Sequence, residues 1–251
     1  MTFPFSLASD LPISPLDWIL ASLIILIGAT IQGVIGYGVA VLGAPLLFLI
    51  HPAFVPGPML MIGMLLPLMI LIRDYHSVRP RDVGWALPGS AIGIAAASLI
   101  MGSVSERYMG LLLGTLVLIS VGISLLHRFP PPRPGTISLG AAVSGFMATI
   151  TSIGGPPLAL VFQNVHGPRL PGTLSAIFVP GGILSLAALH WAGRFGWKEF
   201  VLGSTLLPAI ILGYAASGKL NRSLHPNLLR PMVLTVSTGA AILILLQNWQ
   251  A

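Results

Sequence analysis

Charge is what this sequence has least of. Its 251 residues include only 12 Lys and Arg and 6 Asp and Glu, or 7% charged, where soluble domains carry about a quarter. So little charge cannot keep a folded surface in water, which excludes an ordinary soluble enzyme or binding module. Cysteine is absent altogether, removing disulfides and thiolate metal sites. The six histidines lack metal-ligand spacing, so no metal and no cofactor is expected. No acidic residue lies deep in an apolar run, which argues against a buried carboxylate carrying protons. Nothing resembles a nucleotide-binding P-loop, so ATP is not the evident energy source. The net charge of +6 comes from basic residues scattered through short connections, which anchor loops at a membrane and offer nucleic acid no extended patch. An anionic solute would still feel that field. The N-terminal stretch has no basic n-region and is expected to be retained.

What remains is apolar: 55% hydrophobic residues, with no charge at all from Trp18 to Ile72. Reading apolar runs against polar punctuation gives an all-α polytopic membrane protein with about eight transmembrane segments, near 18–39, 56–73, 83–103, 107–126, 136–162, 172–192, 199–217 and 229–248. The proline-rich "RFPPPRPG" at 128–135 cannot continue a helix and divides them into two sets of four. The expected organisation is an N-terminal segment (1–16), a first four-helix repeat (17–127), the linker (128–135) and a second four-helix repeat (136–251). Placing Gly38 opposite Gly154 aligns the two halves, and Pro88 and Gly93 match Pro208 and Gly213 without gaps. Duplicated transporters place their substrate at the repeat interface. With eight simple crossings, about seven Lys/Arg fall in one set of alternating loops and about five in the other, too even for the positive-inside rule.

The region 18–50 would run about 50 Å as one helix against a hydrocarbon core of about 30 Å, so it must tilt, break or re-enter. "GYG" at 36–38 is the natural break, since glycine accepts backbone angles that other residues refuse. In the second half "TSIGGPP" (151–157) breaks more strongly, and Pro156 and Pro157 suit the first turn of a new helix. Gly154 is expected to hold an angle that a side chain would penalise. Irregular backbone at this depth must be buried or line a cavity. A helix restarting there aims N–H groups and a positive dipole end inward, an anion site without a buried cation. The candidate substrate-binding residues are therefore Gln32, Gly36, Tyr37, Gly38, Thr149, Thr151, Ser152, Gly154 and Gly155. Gly110 and Gly114 read instead as helix-packing positions.

"QGVIGYGVAVLGAP", "SGFMATITSIGGPP" and "RLPGTLSAIF...LHWAGRFGWKEF" resemble the TauE/SafE family of membrane permeases, also called the toluenesulfonate uptake permeases, over nearly the whole chain. The resemblance implies a multi-pass bacterial inner-membrane protein handling sulfite, sulfonates such as sulfoacetate, or other small anions. Where that family commonly carries three consecutive glycines, this chain has Gly38-Val39-Ala40 and Gly154-Gly155-Pro156.

Arg73, His190 and Arg194 are weaker candidates, since each also suits a membrane boundary, where Trp191 reads as an interfacial aromatic. The expected partners are a small anionic substrate and the lipid bilayer, with oligomeric state open. Three functions compete: a secondary transporter that exports its anion by alternating access; an anion channel; and an intramembrane hydrolase using Ser152 with His190, which lacks a third orienting carboxylate at depth.

Overall fold

The computed structural model describes residues 13–35, 38–126, 130–165, 169–220 and 226–250. Among them the chain is helical, without a strand. In lipid every backbone polar group needs an internal partner, which for a single segment means a helix. The helices are α1 (Pro15–Ile35), α2 (Val39–Ile50), α3 (Gly57–Gly63), α4 (Leu65–Asp74), α5 (Pro80–Met101), α6 (Glu106–Leu125), α7 (Pro134–Thr151), α8 (Gly155–Val161), α9 (Arg169–Trp191), α10 (Trp197–Leu220) and α11 (Pro226–Gln250).

Local chemistry sets several starts. Ser14 and Asp17 exchange bonds between side chain and backbone N–H (3.1 and 3.3 Å) at the head of α1, a reciprocal cap. Pro134 opens α7, with Thr136 Oγ1 accepting from Arg133 N (2.9 Å), and Glu199 accepts from Gly196 N (2.8 Å) ahead of α10.

Seven segments are long and apolar enough to cross a membrane. α7, an 18-residue helix lying along α5 and carrying five Ser or Thr, which lower its hydropathy, is not among the seven. The run 136–162, read from sequence as a single span, is two helices. α8 turns back on α7, with Gly140 against Val161 and Gly154 against Ser144 and Ala148. Likewise α2 turns back on α1, Gly28 meeting Val39 and Gly43 lying near Ile25. Both breaks therefore make re-entrant hairpins, because the short apolar helices α2 and α8 gain more by packing on their predecessors than by projecting onward into lipid.

Helix directions follow from contacts. α1 and α10 are parallel: Trp18 Nε1 donates to Thr205 Oγ1 (2.9 Å), Thr30 Oγ1 donates to Gly213 O (3.0 Å), and Gly33 lies against Ser217. α5 and α7 are also parallel, with Ser138 Oγ donating to Trp85 O (2.7 Å) and Gly93 against Ala142 O. α6 and α11 are antiparallel, Arg230 reaching Ser124 O (2.6 Å) at one end and Gly110 meeting Asn248 at the other. At Gly93 and Gly213 a backbone carbonyl occupies the space that a Cβ would need, so glycine is required there for close approach.

Candidate functional site

A cavity of about 470 Å³ joins both breaks. Gly38 to Val41 line it from the head of α2, and Ser152 to Pro156 line it from the α7–α8 junction. It extends to the ends of α6 and α8 and the first turns of α9 and α11, where Leu126, Gln163, Leu170 and Arg230 line it. The walls are mostly apolar, with serine hydroxyls and two glutamines set into them. Among the described lining residues there is no Asp or Glu, and Arg230 is the one charged side chain.

At the first break Gly38 has φ +144°, a conformation open to glycine and strained for other residues. Gln32 Oε1 accepts from Val39 N (3.0 Å), so the side chain of α1 caps the first turn of α2 and its amide NH₂ lies at the cavity wall. Gly36 and Tyr37 lie outside the described residues.

At the second break the left-handed residue is Ser152 (φ +63°), not Gly154, whose φ of −101° suits any side chain. The expectation of an angular penalty at Gly154 is thereby corrected. Its glycine is needed for a steric reason: a Cβ would lie 2.9 Å from Ala148 Cβ and 3.1 Å from Ser144 O and Oγ. Ser152 ends α7 through its N–H to Ala148 O (2.8 Å), and its hydroxyl donates to Pro56 O (2.7 Å). That long-range bond holds a conformation that L-residues adopt at a cost. Having spent its proton on Pro56, Ser152 faces the cavity as an acceptor.

Gly155 is different. Nothing lies within 4 Å of its would-be Cβ, so it faces open cavity. Pro156 and Pro157 have no N–H, and neither Gly154 N–H nor Gly155 N–H has an acceptor among the described residues. The second break thus presents two backbone donors where a proline-free helix start would present four.

The two threonines support this junction from behind. Thr151 Oγ1 donates to Met147 O (2.8 Å) and accepts from Ile153 N (3.1 Å). Thr149 Oγ1 bonds Gly145 O (2.8 Å) and Ser185 Oγ (3.0 Å). Both are fully buried and neither lines the cavity.

The weaker candidates sit elsewhere. Arg73 forms a bidentate pair with Asp74 (both 2.9 Å) with its own side chain 65% exposed. Arg194 donates to the carbonyls of Met101 and Val104, closing the end of α5. His190 Nδ1 pairs with Phe195 O (2.8 Å). Ser152 and His190 are each bonded to other partners, so the nucleophile–base pair of the hydrolase reading does not form.

Sequence reasoning missed Ser144, Gln163, Ser175, Ser185 and Arg230 as cavity residues. Serines in apolar helices usually bond their own backbone, so composition does not separate those facing a cavity. Arg230 carried a readable signal, a lone cation inside the apolar "NLLRPMVL".

The family described as sulfite exporter TauE/SafE matches residues 20–244. The probable inner membrane transporter protein TsaS of Comamonas testosteroni is 24% identical over 177 residues, covering 67% of this chain and 74% of that protein. No solved structure matches the chain. A family match over nearly the whole length, on a helical membrane scaffold whose two Gly-rich motifs meet at one cavity, places this chain in the TauE/SafE family.

Proposed function

We propose that the protein is a secondary transporter of small sulfur-containing anions, inorganic such as sulfite or organic such as sulfoacetate, and that it exports them across a bacterial inner membrane by alternating access. One observation carries this reading. A single cavity unites both broken segments, lacks any carboxylate among its described lining residues, and includes the Arg230 guanidinium in that lining. Charge selection then follows from what is present: free N–H groups at Gly154 and Gly155, the positive end of α2, and Arg230. At about 30 Å³ per water the cavity holds some fifteen waters, enough for a small anion with part of its hydration shell.

Leaving a cell with a negative interior, a monovalent anion gains about 2.3 kcal/mol per 100 mV, so export needs no coupling ion. The family name and that of the relative both describe transporters, which favours transport over catalysis.

Counterflow in proteoliposomes tests the proposal. A carrier preloaded with unlabelled sulfoacetate accelerates uptake of the labelled anion, and an isosteric neutral amide does not. Current without trans-stimulation would replace the carrier by a channel, and equal stimulation by the amide would overturn anion selectivity.

A further inference from the structure

We infer that the two halves are inverted repeats, that the face the cavity reaches is cytoplasmic, and that the opposite-facing state arises when each half takes the other's conformation.

The inversion is read from helix directions. Arg79 N donates to Thr173 Oγ1 (3.1 Å) near the starts of α5 and α9, and Arg194 bonds Met101 O near their ends, so these two helices are parallel. α9 is antiparallel to the α3–α4 pair, because Gly172 lies against Asp74 and Gly182 against Met64. α3 is parallel to α10, with Gly57 at Phe195 and Gly203 at Pro58 and Met61. Combined with the pairs described above, α1, α3–α4, α6 and α10 run one way, and α5, α7, α9 and α11 the other. α2 opposes α1 and α8 opposes α7. Matching α1 with α7, α2 with α8, α3–α4 with α9, α5 with α10 and α6 with α11 reverses every element.

The contacts obey the same correspondence. Gly93 of α5 meets Ala142 O of α7, and Gly213 of α10 meets Leu26 O of α1. Leu26 and Ala142 stand 116 positions apart, the spacing that separates Gly38 from Gly154. Two halves related in this way carry a pseudo-twofold axis in the membrane plane, with a substrate site between them.

Re-entrant hairpins also change the charge count. Among residues with described backbone, Arg73, Arg79, Arg81, Arg133, Arg169, Lys219 and Arg230 belong to helix ends on one face, and Arg107, Arg194 and Lys198 to the other. Seven against three decides by the positive-inside rule what eight simple crossings left even. The basic face is cytoplasmic, and α1 begins and α11 ends on the opposite side. The cavity lining reaches this basic face at Gln163, Leu170 and Arg230 and includes no described residue from the helix ends of the other face, so the structure is inward-facing and Arg230 attracts anions from the cytoplasm.

Exchange of the halves names the residues of the outward cavity. Ala159 and Leu160 of α8 and Gln163 just beyond it line the present one. Their counterparts 116 positions earlier are Gly43, Ala44 and Leu47 of α2, all buried. In the outward-open state Ala44 and Leu47 become accessible from outside, while Ala159 closes.

The absence of native cysteine makes single-cysteine labelling direct. A membrane-impermeant maleimide is applied to right-side-out spheroplasts and to inside-out vesicles. His76→Cys is expected to react only from the cytoplasmic face and Ser103→Cys only from outside; the reverse pattern overturns the orientation. Ala159→Cys should react from the cytoplasm and Ala44→Cys from outside, with sulfoacetate gradients moving the two rates in opposite directions. Leu47→Cys, which removes volume, stands in if Ala44→Cys does not fold. If the α2 cysteines react from the cytoplasm, or from neither face in a protein that transports, the exchange is wrong. The exchange rests on the transporter reading, but failure is separable: absent counterflow with the labelling pattern intact counts against transport and leaves orientation and inversion standing.

Discussion

Gly154 and Gly155 are neighbours whose substitutions should have opposite consequences. A Cβ at Gly155 meets nothing within 4 Å, and the residue opens α8 with ordinary helical geometry. Gly155→Ala should therefore fold at least as well as the parent, and removing backbone freedom from the unfolded chain stabilises it by about 0.4–1 kcal/mol. Gly155→Leu sends four carbons into the cavity. At roughly the volume of a water each, about 30 Å³, they displace about 120 Å³ of the 470 Å³ available, directly over the free N–H groups. Affinity for sulfoacetate should fall at least about tenfold, or 1.4 kcal/mol, with thermal stability unchanged. Gly154→Ala forces a methyl to within 2.9 Å of Ala148 Cβ and should cost about 1–3 kcal/mol of stability by overpacking, while its folded fraction still binds. The assay is unfolding temperature in detergent beside anion affinity and counterflow at matched folded protein. A Gly155→Leu protein that binds and exchanges like the parent would refute the placement of the anion at the α7–α8 junction.

Ser152→Ala removes a buried bond to Pro56 O and leaves a left-handed non-glycine residue, so stability should fall by about 1–3 kcal/mol; Ser152→Gly, which relieves the strained angle, should recover part of that in the same melting assay. Arg230→Gln should weaken anion binding and flatten its dependence on ionic strength, measured by affinity titrations across salt, without lowering the yield of folded protein. Gly93→Leu and Gly213→Leu should both prevent folding, seen as loss of the monodisperse peak, whereas Gly122→Leu, with open space at its Cβ, should be tolerated. Taurine should compete less well than sulfoacetate in binding assays, since no carboxylate among the described cavity residues receives its ammonium group.

The apolar runs and both breaks were legible because each rests on local physics: hydrocarbon thickness, proline's missing donor and glycine's freedom. The direction taken after each break was not. α2 has the hydropathy of a half-crossing whichever way it points, and contacts such as Gly28 to Val39 decide the hairpin. The site residues divide in the same way. Gly38 announced its unusual angle by being glycine, while Ser152 adopts one through a partner 96 residues away. Thr149 and Thr151, expected as substrate-binding residues, do not line the cavity, and their hydroxyls are consumed inside the junction. Sidedness was hidden for a derived reason, since a charge count depends on knowing which helices cross.

The close pairs α1–α10 and α5–α7 each join a helix from one half of the chain to a helix from the other. A cut within the proline-rich stretch at 128–135 would leave α5, at Gly93, and α10, at Gly213, each with a glycine-sized hole and no carbonyl to fill it. Neither fragment should be a folding unit alone, and co-expressing the two should restore the protein. The linker divides the gene more cleanly than it divides the molecule, whose halves are clasped like interlaced fingers.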